Sequence, residues 1–191
     1  MMMGTNPVDL SGKLLIAMPG MTDPRFEKSV IFMCAHSGDG AMGLIINHPA
    51  RDVSFLALLE QLSISHMAGA AMPAVHLGGP VEHGRGFVLH SLDYEGNAGT
   101  LKVDSRFGMT ATLDILEDIA HGEGPAESLL ALGYSGWGPG QIEAELQQNA
   151  WLVGEASEQI VFSSDSGAKW GGALALMGID PLTLSGVAGR A

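Results

Sequence analysis

Three consecutive segments decide the fold class of this chain: Val30-Ile31-Phe32-Met33-Cys34-Ala35, His36-Ser37-Gly38-Asp39-Gly40, and Ala41-Met42-Gly43-Leu44-Ile45-Ile46-Asn47. Two β-rich apolar runs flank a short loop carrying two glycines, which is the composition of a hairpin. Upstream, residues 14–18 read as a buried strand closed by Pro19-Gly20. Downstream the period changes. Phe55, Leu56, Leu59 and Leu62 fall on one face of a helix over 53–62, with Asp52 or Ser54 placed to cap it. Hairpins mixed with helices, without strict βαβα alternation, predict an α+β fold.

The rest of the chain repeats that mixture. Residues 75–77, 86–90 and 100–103 read as strands, separated by Gly78-Gly79-Pro80 and by Glu95-Gly96-Asn97-Ala98-Gly99. A helix over 112–121 turns Leu113, Leu116 and Ala120 inward and Asp114, Glu117 and Asp118 outward, and Gly122 stops it. A short strand at 129–132 leads into a glycine-rich turn, Gly133-Tyr134-Ser135-Gly136-Trp137-Gly138. Pro139 then suits the first position of a helix with Ile142 and Leu146 inward. Strands follow at 151–153 and 159–162. A last helix from Asp165 or Ser166 buries Trp170, Ala173, Leu174 and Met177 before Gly178. About nine strands and about four helices are expected, in a single compact domain covering 1–191 whose first nine residues are flexible.

Composition narrows the function. Of 191 residues, 46% are apolar and 16% charged, enough to build a core without staples. Nine Lys and Arg against 21 Asp and Glu leave a net charge of −12, which repels phosphate backbones and disfavours nucleic acid as a partner. The single cysteine, Cys34, excludes an internal disulfide and fits a reducing compartment. The N-terminus lacks a positive region followed by an apolar run, and no apolar stretch approaches the ~20 residues that cross a bilayer. A cytoplasmic location without membrane attachment is expected.

Candidate chemistry is fragmentary. Gly133–Trp137 nearly spells a nucleophile elbow, but Trp137 stands where a small residue is wanted, and no histidine follows Ser135. The same glycines have no phosphate-loop lysine after them. Seven histidines are scattered singly, so neither a metal nor another cofactor is expected. Cys34 and His36 stand at i and i+2 of a strand, where thiol and imidazole can share a face; simple burial of the thiol outweighs that reading. Residues 78–86 gather Glu82, His83 and Arg85 beside Gly79 and Pro80 in a loop suited to a binding rim. No complete catalytic set emerges. The candidate cleft comprises Cys34, His36, Asn47, Gly79, Pro80, Arg85, Tyr134 and Trp137.

Taken in order, several segments resemble the AlgH/YqgE family of small bacterial proteins. They are Leu14-Leu15-Ile16-Ala17-Met18-Pro19-Gly20-Met21, Phe26-Glu27-Lys28-Ser29-Val30, Asp39-Gly40-Ala41-Met42-Gly43-Leu44-Ile45-Ile46-Asn47 and Gly78-Gly79-Pro80-Val81. Gly133 to Gln141, Asn149-Ala150-Trp151, Trp170 and Gly178-Ile179-Asp180-Pro181 complete the resemblance, which runs from Leu10 to the C-terminus. It implies a bifurcated, partly barrel-like mixed sheet flanked by helices. It also implies a transcriptional-regulator label, through one alginate-related member, with no assigned activity and no catalytic residues to carry over. The chain departs from the family pattern at Ala35 and Ser37, where Glu and Asn are usual, and at His48, where a basic residue is usual. A carboxylate beside His36 is therefore not expected.

These readings rank a non-enzymatic regulatory or binding protein first, acting through a protein or small-molecule partner. A thiol enzyme or redox-responsive protein using Cys34 with His36 comes second, and direct DNA binding third.

Overall fold

The computed structural model describes residues 9–70, 72–94 and 99–180. Residues 1–8 of the segment expected to be flexible, and most of the 95–99 turn, lie outside the described residues. The expected hairpin is present and tighter than its composition suggested. Strand β2 (Val30–Ser37) and strand β3 (Gly40–Ile45) leave only Gly38 and Asp39 to turn. Strand β1 (Lys13–Ala17) pairs antiparallel with β2 on one side and with β9 (Trp151–Glu155) on the other. Adding β4 (Val75–Leu77), β5 (Val81–Ser91), β6 (Thr100–Lys102), β7 (Phe107–Thr110) and β8 (Ser128–Trp137) completes a nine-stranded sheet. Its order is β6-β7-β5-β8-β3-β2-β1-β9, with β4 parallel to β8 and every other pairing antiparallel. The fold is α+β, as expected.

Strand β8 is where the sheet divides. Its first half pairs with β5 and with β4, through Leu130–Leu132. Its second half, Ser135, Gly136 and Trp137, pairs with Gly43, Met42 and Ala41 of β3. Of the segment read as a glycine-rich turn, Gly133 to Trp137 is thus continuous strand and only Gly138 lies beyond it. Gly133 serves close backbone approach rather than reversal. A Cβ on Gly133, which sits at φ 77°, would lie 2.7 Å from the Gly79 carbonyl oxygen, and one on Gly78 would lie 2.3 Å from the Gly133 oxygen.

Among the described residues five helices cover the sheet where about four were expected: α1 (Phe55–Gln61), α2 (Leu113–Ala120), α3 (Gln141–Gln147), α4 (Glu158–Val161) and α5 (Lys169–Leu176). The additional one is α4, read as a strand at 159–162. Ser157 accepts the Ile160 amide in an N-cap and Glu158 occupies the first turn, and these local bonds outweigh its β-branched residues. Strand β7 escaped the sequence reading; the Asp104 carboxylate turns the chain into it by accepting the Arg106 and Phe107 amides. Ser54 caps α1, while Leu56, Leu62 and Leu113, expected inward, are exposed. The buried stripes instead run through Phe55 and Leu59 in α1 and through Ile115, Leu116, Ile119 and Ala120 in α2. Pro139, expected at the first helical position, instead precedes Gly140, the N-cap of α3, and the helix begins at Gln141. Met177 stays partly exposed beyond α5, which begins after a 3-10 turn at Ser166–Ala168.

Curling gives the sheet one interior and two outer faces. Alternate residues of β1, β2, β3, β5, β7 and β8, including Leu14, Phe32, Leu44, Phe87, Phe107 and Leu129, fill the interior, closed by Val161, Ala173 and Leu174 from α4 and α5. Val88, Leu130 and Val75 face outward beneath α1 and α2. Leu15, Ile31, Met33 and Ile45 face outward beneath α3, joined by Trp137 and Trp151.

The branch point makes a specific demand on Gly133. Gly133→Ala combines left-handed backbone with a contact into the Gly79 carbonyl, so it is expected to cost about 2 kcal/mol or more. Urea unfolding midpoints measure this, and an unchanged midpoint would mean the two strands can separate freely.

Candidate functional site

The β2–β3 turn, the start of β5 and the end of β8 border a hollow of about 760 Å³. Of the eight candidate residues, His36, Arg85, Tyr134 and Trp137 line it. Gly79 and Pro80 instead line a separate hollow of about 580 Å³ with Arg25, His48 and His83. Asn47 belongs to the scaffold. Its side chain accepts the Val30 amide and donates to the Lys28 carbonyl, fixing the exit of β3 against the entry of β2. Cys34 lies in the interior core, 2% exposed.

The parting of Cys34 from His36 has a definite cause. The β2–β3 register shifts between Met33 and Ala35, so a bulge interrupts the two-residue alternation. Cys34 points into the core beside Phe32, while His36 turns toward α3 and the N-terminal segment. There His36 Nδ1 accepts the Leu10 amide at 3.1 Å, which leaves Nε2 as the N–H facing the Glu143 carboxylate at 3.0 Å. The carboxylate judged missing beside His36 is therefore supplied from a distant helix. The Glu143 carboxyl is held below its usual range by its own backbone amide and by His36. Burial pushes the Cys34 thiol up to about 12, so at neutral pH it is a thiol and not a nucleophile.

Ser135, the serine of the near-elbow, is fully buried, and its hydroxyl donates to the Gly78 carbonyl at 3.2 Å. Glu145 of α3 accepts both the Trp137 and the Trp151 indole N–H on one oxygen, at 3.1 and 2.9 Å. That pair of bonds fixes the aromatic end of the hollow. At the other end the Arg85 guanidinium lies over the Phe87 ring at 5.1 Å, Tyr134 meets Phe87 edge-on, and Glu82 stands 3.9 Å from Arg85. Arg85 and Glu82 are both more than half exposed, so their pairing is weak and exchangeable. The hollow can thus offer one stacked cation and aromatic and thioether walls, with Met42 and Met109 among the latter. Among the described residues no group of three or more His, Cys, Asp or Glu gathers to hold a metal ion, and no helix is long and apolar enough to cross a membrane.

A second polar cluster, hidden from sequence reading, lies beneath the last helix. The Lys169 ammonium, 2% exposed, donates to the Ile46 and Val161 carbonyls at 2.7 and 2.9 Å, and burial lowers it to about 8. His76 reaches the Ser166 hydroxyl at 2.9 Å and leaves Nδ1 without a hydrogen-bond partner. Burial first and the nearby Lys169 charge second lower His76 to about 4. Lys169 sits at the start of a helix whose apolar pattern conceals it. His90, also read as a core histidine, is fully bonded between the Ser91 carbonyl and the Thr110 hydroxyl.

A curled, branched sheet with helices closing its interior, and a hollow beside the branch, place this chain among the small α+β half-barrel domains. The chain belongs to the AlgH-like family, whose model matches residues 14–182. A UPF0301 protein of Cereibacter sphaeroides is 61% identical over 184 residues, covering 96% of this chain and 100% of that protein. One from Ruegeria pomeroyi is 63% identical over 185 residues, covering 96% and 100%. The solution structure of the AlgH protein from Pseudomonas aeruginosa superposes with a TM-score of 0.75 at 38% identity, covering 96% of each chain. The crystal structure of protein DIP2367 from Corynebacterium diphtheriae shares the fold, with a TM-score of 0.74 at 22% identity over 96% of this chain and 95% of that one.

Two outcomes follow from the buried groups. Unfolded His76 takes up a proton near 6.5 and the folded form resists it to about 4, so stability is complete above that window and falls as pH drops through it, by about 3 kcal/mol. Urea midpoints at pH 7.5 and 5 record the slope, and His76→Gln reduces it, the remainder coming from His48 and His90, which burial also lowers. Alkylation of Cys34 by iodoacetamide proceeds only at the rate of unfolding, accelerating with urea rather than with pH between 6 and 9.

Proposed function

We propose that this chain is a non-enzymatic, regulatory binding protein of the cytoplasm that holds a small aromatic anion in the hollow between Arg85 and Trp137. The observation that carries this reading is the state of the lining. The side chains with reactive potential are already engaged or buried: His36 by Leu10 and Glu143, Ser135 by Gly78, and Cys34 within the core. What remains open is a cation stacked on Phe87 and a wall of Tyr134, Met42, Met109 and Trp137. That set recognises a planar ring bearing a carboxylate, which stacks on the aromatic wall while Arg85 exchanges Glu82 for the ligand. Regulation would then follow from the β2–β3 turn, through which an occupied hollow presents an altered surface to a protein partner. The net charge of −12 argues against nucleic acid in that role.

Titration with 2-naphthoate, read by tryptophan fluorescence and calorimetry, tests the reading. Saturable binding that Arg85→Ala weakens tenfold or more, about 1.4 kcal/mol, supports it. Absence of saturable binding across a panel of aryl carboxylates overturns it. Turnover of any panel member that disappears in His36→Ala would replace it with an enzyme.

A further inference from the structure

We infer a second binding site, on the opposite face of β5 from the first hollow, that takes an unbranched aliphatic chain. Successive residues of β5 divide between two sites. Phe87 points to the interior side, and Gly86 and Val88 point outward beneath α1 and α2. There they floor a narrow slot of about 300 Å³, with Leu130 and Leu132 of β8 beside them. Its walls come from Leu58 of α1 and Leu62 just beyond its end, and from Leu113 and Leu116 of α2. An apolar cavity of about 150 Å³ holds a benzene molecule, so this space admits a chain of several carbons.

The lining selects the class of ligand. It holds six leucines and one valine but no aromatic ring, no acid and no lysine, although 21 of the 191 residues are acidic. Its single charged residue is Arg85, whose guanidinium is turned to the Phe87 ring. Thr110 is closed by hydrogen bonds to His90 and Thr100. A flexible, uncharged alkyl chain satisfies such walls, whereas a charged group would be desolvated there without a partner. At the mouth, Leu62 is 43% and Leu113 56% exposed, while Val88, Leu116 and Leu130 in the depth are buried. Gly86 leaves the depth open: a Cβ built on it meets only Leu130 and Leu132, at 3.4 and 4.0 Å. The head of the ligand stays at the rim, near Gln61 and Thr112.

The probe is 1-octanol, titrated into protein carrying ¹³C-labelled leucine methyls. Saturable shifts concentrated on Leu113, Leu116, Leu130 and Leu132 are expected. Gly86→Leu, which fills the slot from its floor, should weaken binding at least tenfold with the melting temperature kept. If that variant fails to fold, Leu62→Gln with Leu113→Gln tests the same point at positions already open to water, and should weaken binding at least fivefold. Octanol binding should persist unchanged at saturating 2-naphthoate, and equally if 2-naphthoate does not bind, which separates this site from the aryl carboxylate hollow whether or not that reading holds. Shifts spread evenly over exposed leucines, no saturation, or undiminished binding in the filled or polar-mouthed variant would overturn the inference.

Discussion

The fold depends on one close approach of two backbones. Around Gly133, β8 leaves β4 and, after a last pairing of Tyr134 with Val81 of β5, passes to β3, and the Gly78-Gly79 pair lies against it with no room for a Cβ on either side. A sheet whose strands pair with one neighbour throughout stays open; a strand that exchanges neighbours midway forces the two halves to diverge and curl. The interior core exists because of that divergence, and both hollows lie along the strands that border it. Gly78, Gly79 and Gly133, which sequence reading assigned to reversal, are instead what lets the strands approach at the branch.

Much of this architecture was legible in the residues. Hairpin chemistry at Gly38-Asp39, the helical period from Phe55, and the Ser54 cap are local signals, and local signals survive folding. What was not legible depends on distant partners. The glycines from Gly133 to Gly138 look the same whether they turn or admit a neighbour, and only the position of Gly78-Gly79 distinguishes the cases. Strand β7 is short, and its boundary is written by Asp104 rather than by any run of apolar residues. Leu113 and Leu62 fit an apolar period yet face solvent, because they stand at helix ends beyond the part of the stripe that the sheet covers.

The candidate cleft divided for similar reasons. His36, Arg85, Tyr134 and Trp137 were found by type and came together, since β5 and β8 carry three of them side by side. Cys34 left the group because one extra residue in β2 reverses the parity of everything after it, and no rule of composition predicts a bulge at that place. Glu143 and Glu145 were absent from the candidates altogether. They belong to a helix more than a hundred residues from His36, and their meaning appears only when α3 lies across the end of β2 and β8.

The buried ammonium of Lys169 bears on how the molecule comes into being. Its two acceptors are the carbonyl that ends the first hairpin and the one that ends α4, the former 123 positions earlier in the chain. Strand β1 likewise waits for β9, and the Ala17 carbonyl for the Trp170 indole. During synthesis, the first hairpin to leave the ribosome therefore keeps an open edge and unanswered carbonyls until most of the polypeptide has followed it. A segment made early is finished by one made well over a hundred residues later.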